Sequence, residues 1–414
     1  MTDDRSIRAN RRSYAGLIGS SFISNGGNAF SELAIPLFVL ETTGSAAQTG
    51  ITAVAAFAPP FITSIFGGAL VDRVGRRKML LLSESLNIFG TATIPILHIL
   101  GWLNFPLLLA IVALGAMLDS PGRTARSAMI PNFATRAGLS PERAQSVNQS
   151  GFLLARTIGP ALAGVAIGLW GATTAIWIDA GSFLVSLLLV ALFVDTPEAI
   201  VKVRPTTYRE DLLEGFHFVW REPFLRAMVI FIAYLTMFYV PLFSVVYPVY
   251  FTEITKSTKA FGVFVGLESL GTFVGGLGYG YWGHRVSRWK VLILSQFAGL
   301  PFFWLLIFSP SVPILFIAAL FNGFLTGPLN PVAQVAIQVR TPEHMRSRVH
   351  SLINAGTLLV IPIGALTIGA MIEWIGVLWT YGFIALFYSL GPIAVAMFPV
   401  FHLIDSSLPE ATTA

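Results

Sequence analysis

The 414-residue chain is 55% hydrophobic and only 11% Asp, Glu, Lys or Arg, against about 45–50% and about 25% in soluble domains. That balance excludes an ordinary soluble enzyme and predicts an integral membrane protein. The charge of +5 and the absence of cysteine leave no disulfide framework and no thiolate metal site.

Windows of about 20 apolar residues, the length that crosses a bilayer, predict twelve spans at approximately 14–39, 46–71, 79–100, 105–127, 147–169, 173–194, 225–251, 260–283, 290–309, 312–336, 351–373 and 378–402. Unpaired backbone is intolerable in lipid, so these runs must be helices; the alternation of a membrane barrel is missing. The basic start with Arg5, Arg8, Arg11 and Arg12 precedes a run too long for a signal peptide, which is read as a retained first span. Placing that end inside gathers nearly all Lys and Arg on one face, with only Lys256 and Lys259 outside and Arg156 within a span. This is the positive-inside pattern. Both termini are expected in the cytoplasm, the basic charge serves orientation and lipid contact, and nucleic-acid binding is not expected.

In chain order, the first span carries Asn25, Asn28 and Glu32 at spacings of three and four, one polar face on an apolar helix. Glu32 is expected about 27 Å along from Tyr14, in the outer half. The second span ends in Gly68-x-x-x-Asp72-Arg73-x-Gly75-Arg76-Arg77-Lys78, a charged hinge whose cations can meet helix carboxyl ends. Glu84 and Asp119 fall in the inner halves of spans three and four. Arg156 lies about a third of the way into span five, ahead of Gly159-Pro160-x-x-x-Gly164, and Asp179 lies in span six. The only long polar interval, 195–223, separates six spans from six; Leu212, Leu213, Phe216, Phe218 and Val219 interleave there with charge, as in a short interfacial helix or a solvated linker. Expected bounds are therefore 1–194 for an amino-terminal bundle, 195–223 for the linker and 224–414 for a second bundle.

The second bundle echoes the first. Arg285, Val286, Arg288 and Lys290 repeat Arg73, Val74, Arg76 and Lys78, with His284 in place of Asp72. Pro342-Glu343 repeats Pro141-Glu142, and Gly356 through Gly364 and Gly369 repeats Gly151 through Gly159 and Gly164. Such a duplication is a recognised transporter plan, with a central site between the repeats. Helix-breaking or polar residues mark spans one, four, seven and ten: Asn25-Gly26-Gly27-Asn28, Asp119-Ser120-Pro121-Gly122, Pro241 with Pro248, and Asn322-Gly323 with Gly327-Pro328 and Asn330-Pro331.

With these motifs the chain resembles the major facilitator superfamily. The hinge after span two matches the family's signature loop, and Gly159-Pro160 resembles its antiporter motif with alanine at two expected glycines. Thr43-Gly44-Ser45, Leu82-Ser83-Glu84, Pro121-x-Arg123 with Met129-Ile130-Pro131, and Ile178-Asp179 with Ser182-Phe183 are similar to the macrolide-efflux and enterobactin-exporter branch. The resemblance implies an all-α membrane protein of twelve helices in two pseudo-symmetric bundles, set in a bacterial inner or plasma membrane. It also implies export of small amphipathic drugs or siderophore-like compounds by proton antiport, with no cofactor beyond a proton gradient. A monomer contacting a small-molecule substrate and lipid is expected. A dedicated siderophore, lipid or natural-product exporter, an uncoupled facilitator, and a non-transporting sensor or scaffold are the alternatives. The resemblance assigns gating to Gly68, Asp72, Arg73, Gly75, Arg76, Arg77, Lys78, Arg285 and Arg288.

Ionisable groups in a span are costly, about 2.5–3.5 kcal/mol each, and mark function by default. Glu84, Asp119, Arg123 and Arg156 are expected to satisfy one another as a charge cluster, with Asp179 a packing hydrogen bonder. Glu32 and Glu268 have no basic neighbour in sequence and are the leading proton-exchange candidates, ahead of Asp119 and Glu84. Substrate contacts are expected from Asn25, Asn28, Phe30, Tyr234, Tyr239, Phe243, Tyr247, Asn322, Asn330 and Gln334, a mostly apolar wall with few polar anchors. There is no phosphate-binding GxxxxGK[ST] loop, and the histidines lack metal-ligand spacing.

Overall fold

The computed structural model describes residues 4–139, 141–194, 208–308, 311–342 and 345–405. Among them every regular element is a helix: α1 (Asp4–Thr43), α2 (Ala46–Val74), α3 (Arg76–Ile99), α4 (Phe105–Arg136), α5 (Pro141–Trp170), α6 (Ala172–Phe193), α7 (Tyr208–Arg221), α8 (Pro223–Pro241), α9 (Tyr247–Glu253), α10 (Thr258–Trp282), α11 (Arg288–Leu305), α12 (Val312–Thr326), α13 (Leu329–Val339), α14 (Arg346–Ile375) and α15 (Val377–Met397). A π-helical turn, Leu242–Val246, joins α8 to α9, so these form one interrupted rod; α12 and α13 form another, broken at Gly327-Pro328. Ten rods are long and apolar enough to cross a membrane, and the long helices α1 and α2 precede them. This is a multi-pass membrane protein.

The breaks occur where proline removes a backbone donor and clashes with the preceding turn. The helices begin at local signals: Asn104 accepts from the Leu107 amide at 2.9 Å, and Ser257 from that of Ala260 at 3.2 Å, each satisfying an orphan donor. Gly171 and Gly376, at equivalent places in the two sequence repeats, have φ of 85° and 81°. That left-handed backbone lets α5 turn directly into α6, and α14 into α15, at a single residue.

The chain divides into two compact units: Met1–Gly44 with Ile51–Arg204, and Ser45–Gly50 with Pro205–Ala414. In unit 1, α1 packs most extensively on α5 and α6, and α3 on α4 and α6. In unit 2, α10 lies against α12, and α14 against α8. The first turn of α2 clusters with unit 2 because Gly50 and Gly369 allow it close to α14; a methyl at Gly50 would stand 2.6 Å from the Ala365 carbonyl oxygen. Glu373 fixes that turn, accepting from Ser45 Oγ at 2.6 Å and the Ala47 amide at 3.1 Å. Within the expected linker interval, 195–207 lies outside the described residues, and α7 belongs to unit 2.

The outer surfaces are apolar, as lipid requires. Ile99, Phe89, Leu192, Phe308 and Met397 are exposed, and Trp102, Trp170, Trp374 and Trp379 sit exposed at helix ends, the positions of an interfacial aromatic belt.

Candidate functional site

In unit 1 the ionisable groups form two layers. The inner layer is fully buried. Arg126 of α4 donates to Glu84 of α3 and, at 3.2 Å, to Ser186 Oγ of α6; Ser186 Oγ donates in turn to the Ser20 carbonyl of α1 at 3.3 Å. Glu84 and Arg126 are each 3% exposed, so this chain ties four helices through one ion pair. Asp179 of α6, also buried, accepts from Ser31 of α1 and, at 3.3 Å, from Ser182 Oγ. Its partners are hydroxyls, in keeping with a packing role.

The outer layer lies on the surface of the unit. Arg156 of α5 pairs with Glu32 of α1 at 2.9 Å, with side chains 50% and 39% exposed. Arg123 and Asp119 pair at 3.9 Å, Asn87 donates to Asp119 at 3.3 Å, and Arg123 stands 5.8 Å from the Phe152 ring. These charges lie along the length of membrane-spanning helices, where exposure to hydrocarbon would be prohibitive.

The charge cluster expected from sequence is thus regrouped. Arg156 belongs to Glu32 and not to Glu84, because α5 starts at Pro141, earlier than the expected span, which moves Arg156 to mid-helix. Arg126 takes the place beside Glu84. The positive-inside pattern puts Arg126 with the other basic residues at the cytoplasmic face, but α4 continues to Arg136 and Arg126 is buried within it. Glu32 accordingly has a cationic partner that sequence neighbours did not reveal. Of the other α1 residues, Asn25 is buried and donates to its own helix at Ser21 O, 2.6 Å away; Asn28 is half-buried. Phe30 is buried.

In unit 2, Glu268 of α10 is 3% exposed. Asn322 Nδ2 of α12 donates to its Oε1 at 3.1 Å, while Oε2 is buried with no hydrogen-bond partner. Tyr239, Tyr247, Tyr381 and Tyr388 are near enough to interact electrostatically with it. Glycine makes this possible: a methyl at Gly323 would overlap the Glu268 carbonyl oxygen, and methyls at Gly271 and Gly275 would overlap the backbone of Leu320 and Phe324. Small residues let the backbones meet. Tyr239, Phe243, Tyr247 and Phe264 form a run of ring contacts at 5.0, 5.3 and 5.0 Å. Tyr247 is fully buried, and Tyr234, half-buried, donates to the Phe387 carbonyl. Gln334 is half-buried and Asn330 exposed.

The hinge motif makes contacts within unit 1: Arg76 donates to the Ala128 carbonyl at 3.2 Å, and Arg77 to the Ala191 carbonyl, near the end of α6, at 3.1 Å. Gly75 has φ 91°; Arg73 and Lys78 are exposed. Gly68 and the Asp72 side chain lie outside what the structure describes. In the second repeat, Arg288 donates through Nη1 to the Ile404 carbonyl at 3.2 Å and through its amide to Asp405 Oδ1 at 2.7 Å; Arg285 is exposed. In the Gly159-Pro160 motif, a methyl at Gly159 would stand 2.9 Å from Ala29 Cβ, so α5 rides close on α1; Gly164 is buried and Pro160 half-buried. No group of His, Asp and Glu suited to a metal occurs among the described residues.

The sequence matches the family model of the Major Facilitator Superfamily over residues 17–253 and 242–412. It is 29% identical over 372 residues to the multidrug efflux pump Tap of Mycolicibacterium fortuitum, covering 88% of this chain and 90% of that protein. It is 26% identical over 345 residues to the enterobactin exporter EntS of Escherichia coli O6:K15:H31, covering 82% and 80%. Among solved structures, the nucleoside transporter NupG superposes with a TM-score of 0.74 at 11% identity, covering 92% of this chain and 98% of that one. A D-xylose–proton symporter gives 0.69 at 14% identity, covering 94% and 97%. A charged hinge in each repeat and a family match along nearly the whole length place the chain in the major facilitator superfamily, as a membrane transport protein and not an enzyme.

Proposed function

We propose that this transporter exports small amphipathic molecules by alternating access, exchanging them for protons that move inward, with Glu268 as the exchanging group. The relatives named as a multidrug efflux pump and an enterobactin exporter support the direction and the substrate class. The observation that carries the coupling reading is the unpartnered, buried Oε2 of Glu268. A buried carboxyl group held by one amide, with no cationic partner among the described residues, has room on its free oxygen for a proton or for a ligand's cationic group. Glu32 is the weaker candidate because Arg156 already neutralises it, and Asp119 and Glu84 likewise have arginine partners. The basic face orients both termini to the cytoplasm of a bacterial inner or plasma membrane, and a proton gradient is the sole driving partner.

Inverted membrane vesicles containing the protein, energised and given ethidium as probe, test this reading. Accumulation should exceed that of vesicles without the protein and should collapse when the proton gradient is dissipated. Accumulation indifferent to the gradient would remove proton coupling, and none across a panel of amphipathic cations, anions and neutral compounds would remove export of this class.

A further inference from the structure

Helix α7 presents three distinct faces. Gly215 and Val219 point into unit 2: a methyl at Gly215 would stand 2.9 Å from the Arg348 carbonyl oxygen, and Val219 is buried against Phe224, Leu225 and Val349. Glu214 is held by Arg348 of α14 at 2.8 Å. On another face, Leu213, Phe216 and Trp220 are 46%, 42% and 51% exposed. Their spacings of three and four put them in one stripe, and the Phe216 and Trp220 rings stack at 5.1 Å.

What covers this stripe follows from where the helix ends. Glu222 breaks the helix with an extended backbone and caps α8, whose interrupted rod begins at Pro223 and crosses the membrane. Arg226, in the first turn of that rod, donates to the Trp220 carbonyl at 3.1 Å and lies 5.8 Å from the Trp220 ring. One turn further along the same apolar rod, Ile230 is exposed. The stripe thus adjoins the start of a rod long and apolar enough to cross a membrane and ends in a tryptophan beside an arginine, the pairing that settles at headgroup depth. The two acidic side chains described at this corner are both ion-paired, Glu222 with Arg340 and Glu214, itself 54% exposed, with Arg348.

We propose that α7 lies in the headgroup region of the bilayer, with Leu213, Phe216 and Trp220 immersed at the top of the acyl chains and Arg221 at its aqueous edge. Because α7 grips the start of α14 through Arg348, the lipid surface then anchors that end of α14. The native chain has no cysteine, so single sites can be labelled without background. Phe216→Cys and, independently, Leu213→Cys should be labelled with an environment-sensitive nitrobenzoxadiazole and reconstituted into phosphatidylcholine–phosphatidylglycerol vesicles. Blue-shifted emission, strong quenching by a lipid with a shallow nitroxide, weaker quenching by a deep one and little by aqueous iodide are expected. A label at Arg221→Cys should stay in the aqueous emission range and be quenched by iodide. Aqueous emission at 213 and 216 would overturn the proposal. So would shielding that no lipid quencher reaches and that disappears on dilution of the protein in lipid, which would assign the stripe to a second copy of the chain.

Discussion

A guanidinium inside a membrane bundle is tolerated only while its carboxylate stays beside it, and Arg126 with Glu84 is that case in unit 1. Breaking a buried pair leaves an uncompensated charge and costs about 3–5 kcal/mol. Arg126→Leu should therefore lower the thermal unfolding temperature in detergent sharply, and Glu84→Gln combined with Arg126→Leu should recover part of the loss. A double variant no more stable than Arg126→Leu would mean that the arginine acts without its partner. The Glu32–Arg156 pair obeys the opposite rule. Being exposed and screened, it should contribute only about 0–1 kcal/mol, so exchanging the two as Glu32→Arg with Arg156→Glu should leave the melting curve nearly unchanged. A cooperative loss of fold in that swap would show the pair to be structural. The residues that carry charge were legible in the sequence, since any ionised group in an apolar run stands out. The Asp119–Arg123 pairing was legible too, but the partners of Glu32 and Glu84 were not, because Glu32 and Arg156 are brought together only by how α5 rides on α1.

Helices α10 and α12 meet at their backbones, and that closeness positions Glu268 against Asn322. Gly323→Ala puts a methyl where the Glu268 carbonyl oxygen stands, so the helices must part; a sharp loss of folded yield is expected, measured by size-exclusion chromatography of the solubilised protein. Gly90→Ala on α3, with nothing within 4 Å of the added methyl, is the matched control and should be neutral or slightly stabilising. Equal behaviour of the two would contradict the interlock. The glycine-rich stretch was readable as a packing surface, and Pro241, Gly327 and Pro328 as places where spans seven and ten are interrupted. The exact helix lengths were not. Charged residues at the end of an apolar run look like the water boundary, yet Arg126, near the end of the expected fourth span, is buried inside protein. For the same reason the burial of Phe30 and Tyr247 was hidden: aromatics that line a cavity and aromatics that fill a core have the same spacing along a helix.

At the scale of the whole molecule, hydropathy made an all-helical membrane protein legible because lipid allows apolar backbone few other forms, and ten of the described helical rods are long and apolar enough to cross. What hydropathy could not convey is that the first turn of α2 clusters with unit 2, since that follows from Gly50, Gly369 and Glu373 fitting together across a long sequence separation. The functional claim built on this architecture is that a carboxyl group with one open oxygen, Glu268, trades protons for substrate. The direct measurement is simultaneous recording of internal pH and probe movement in proteoliposomes under an imposed pH gradient, comparing the native protein with Glu268→Gln, whose amide keeps the shape of the side chain. Coupled counterflow in the native protein, and in the variant loss of proton movement with probe binding retained, is the predicted result; undiminished proton-coupled counterflow in Glu268→Gln would contradict it.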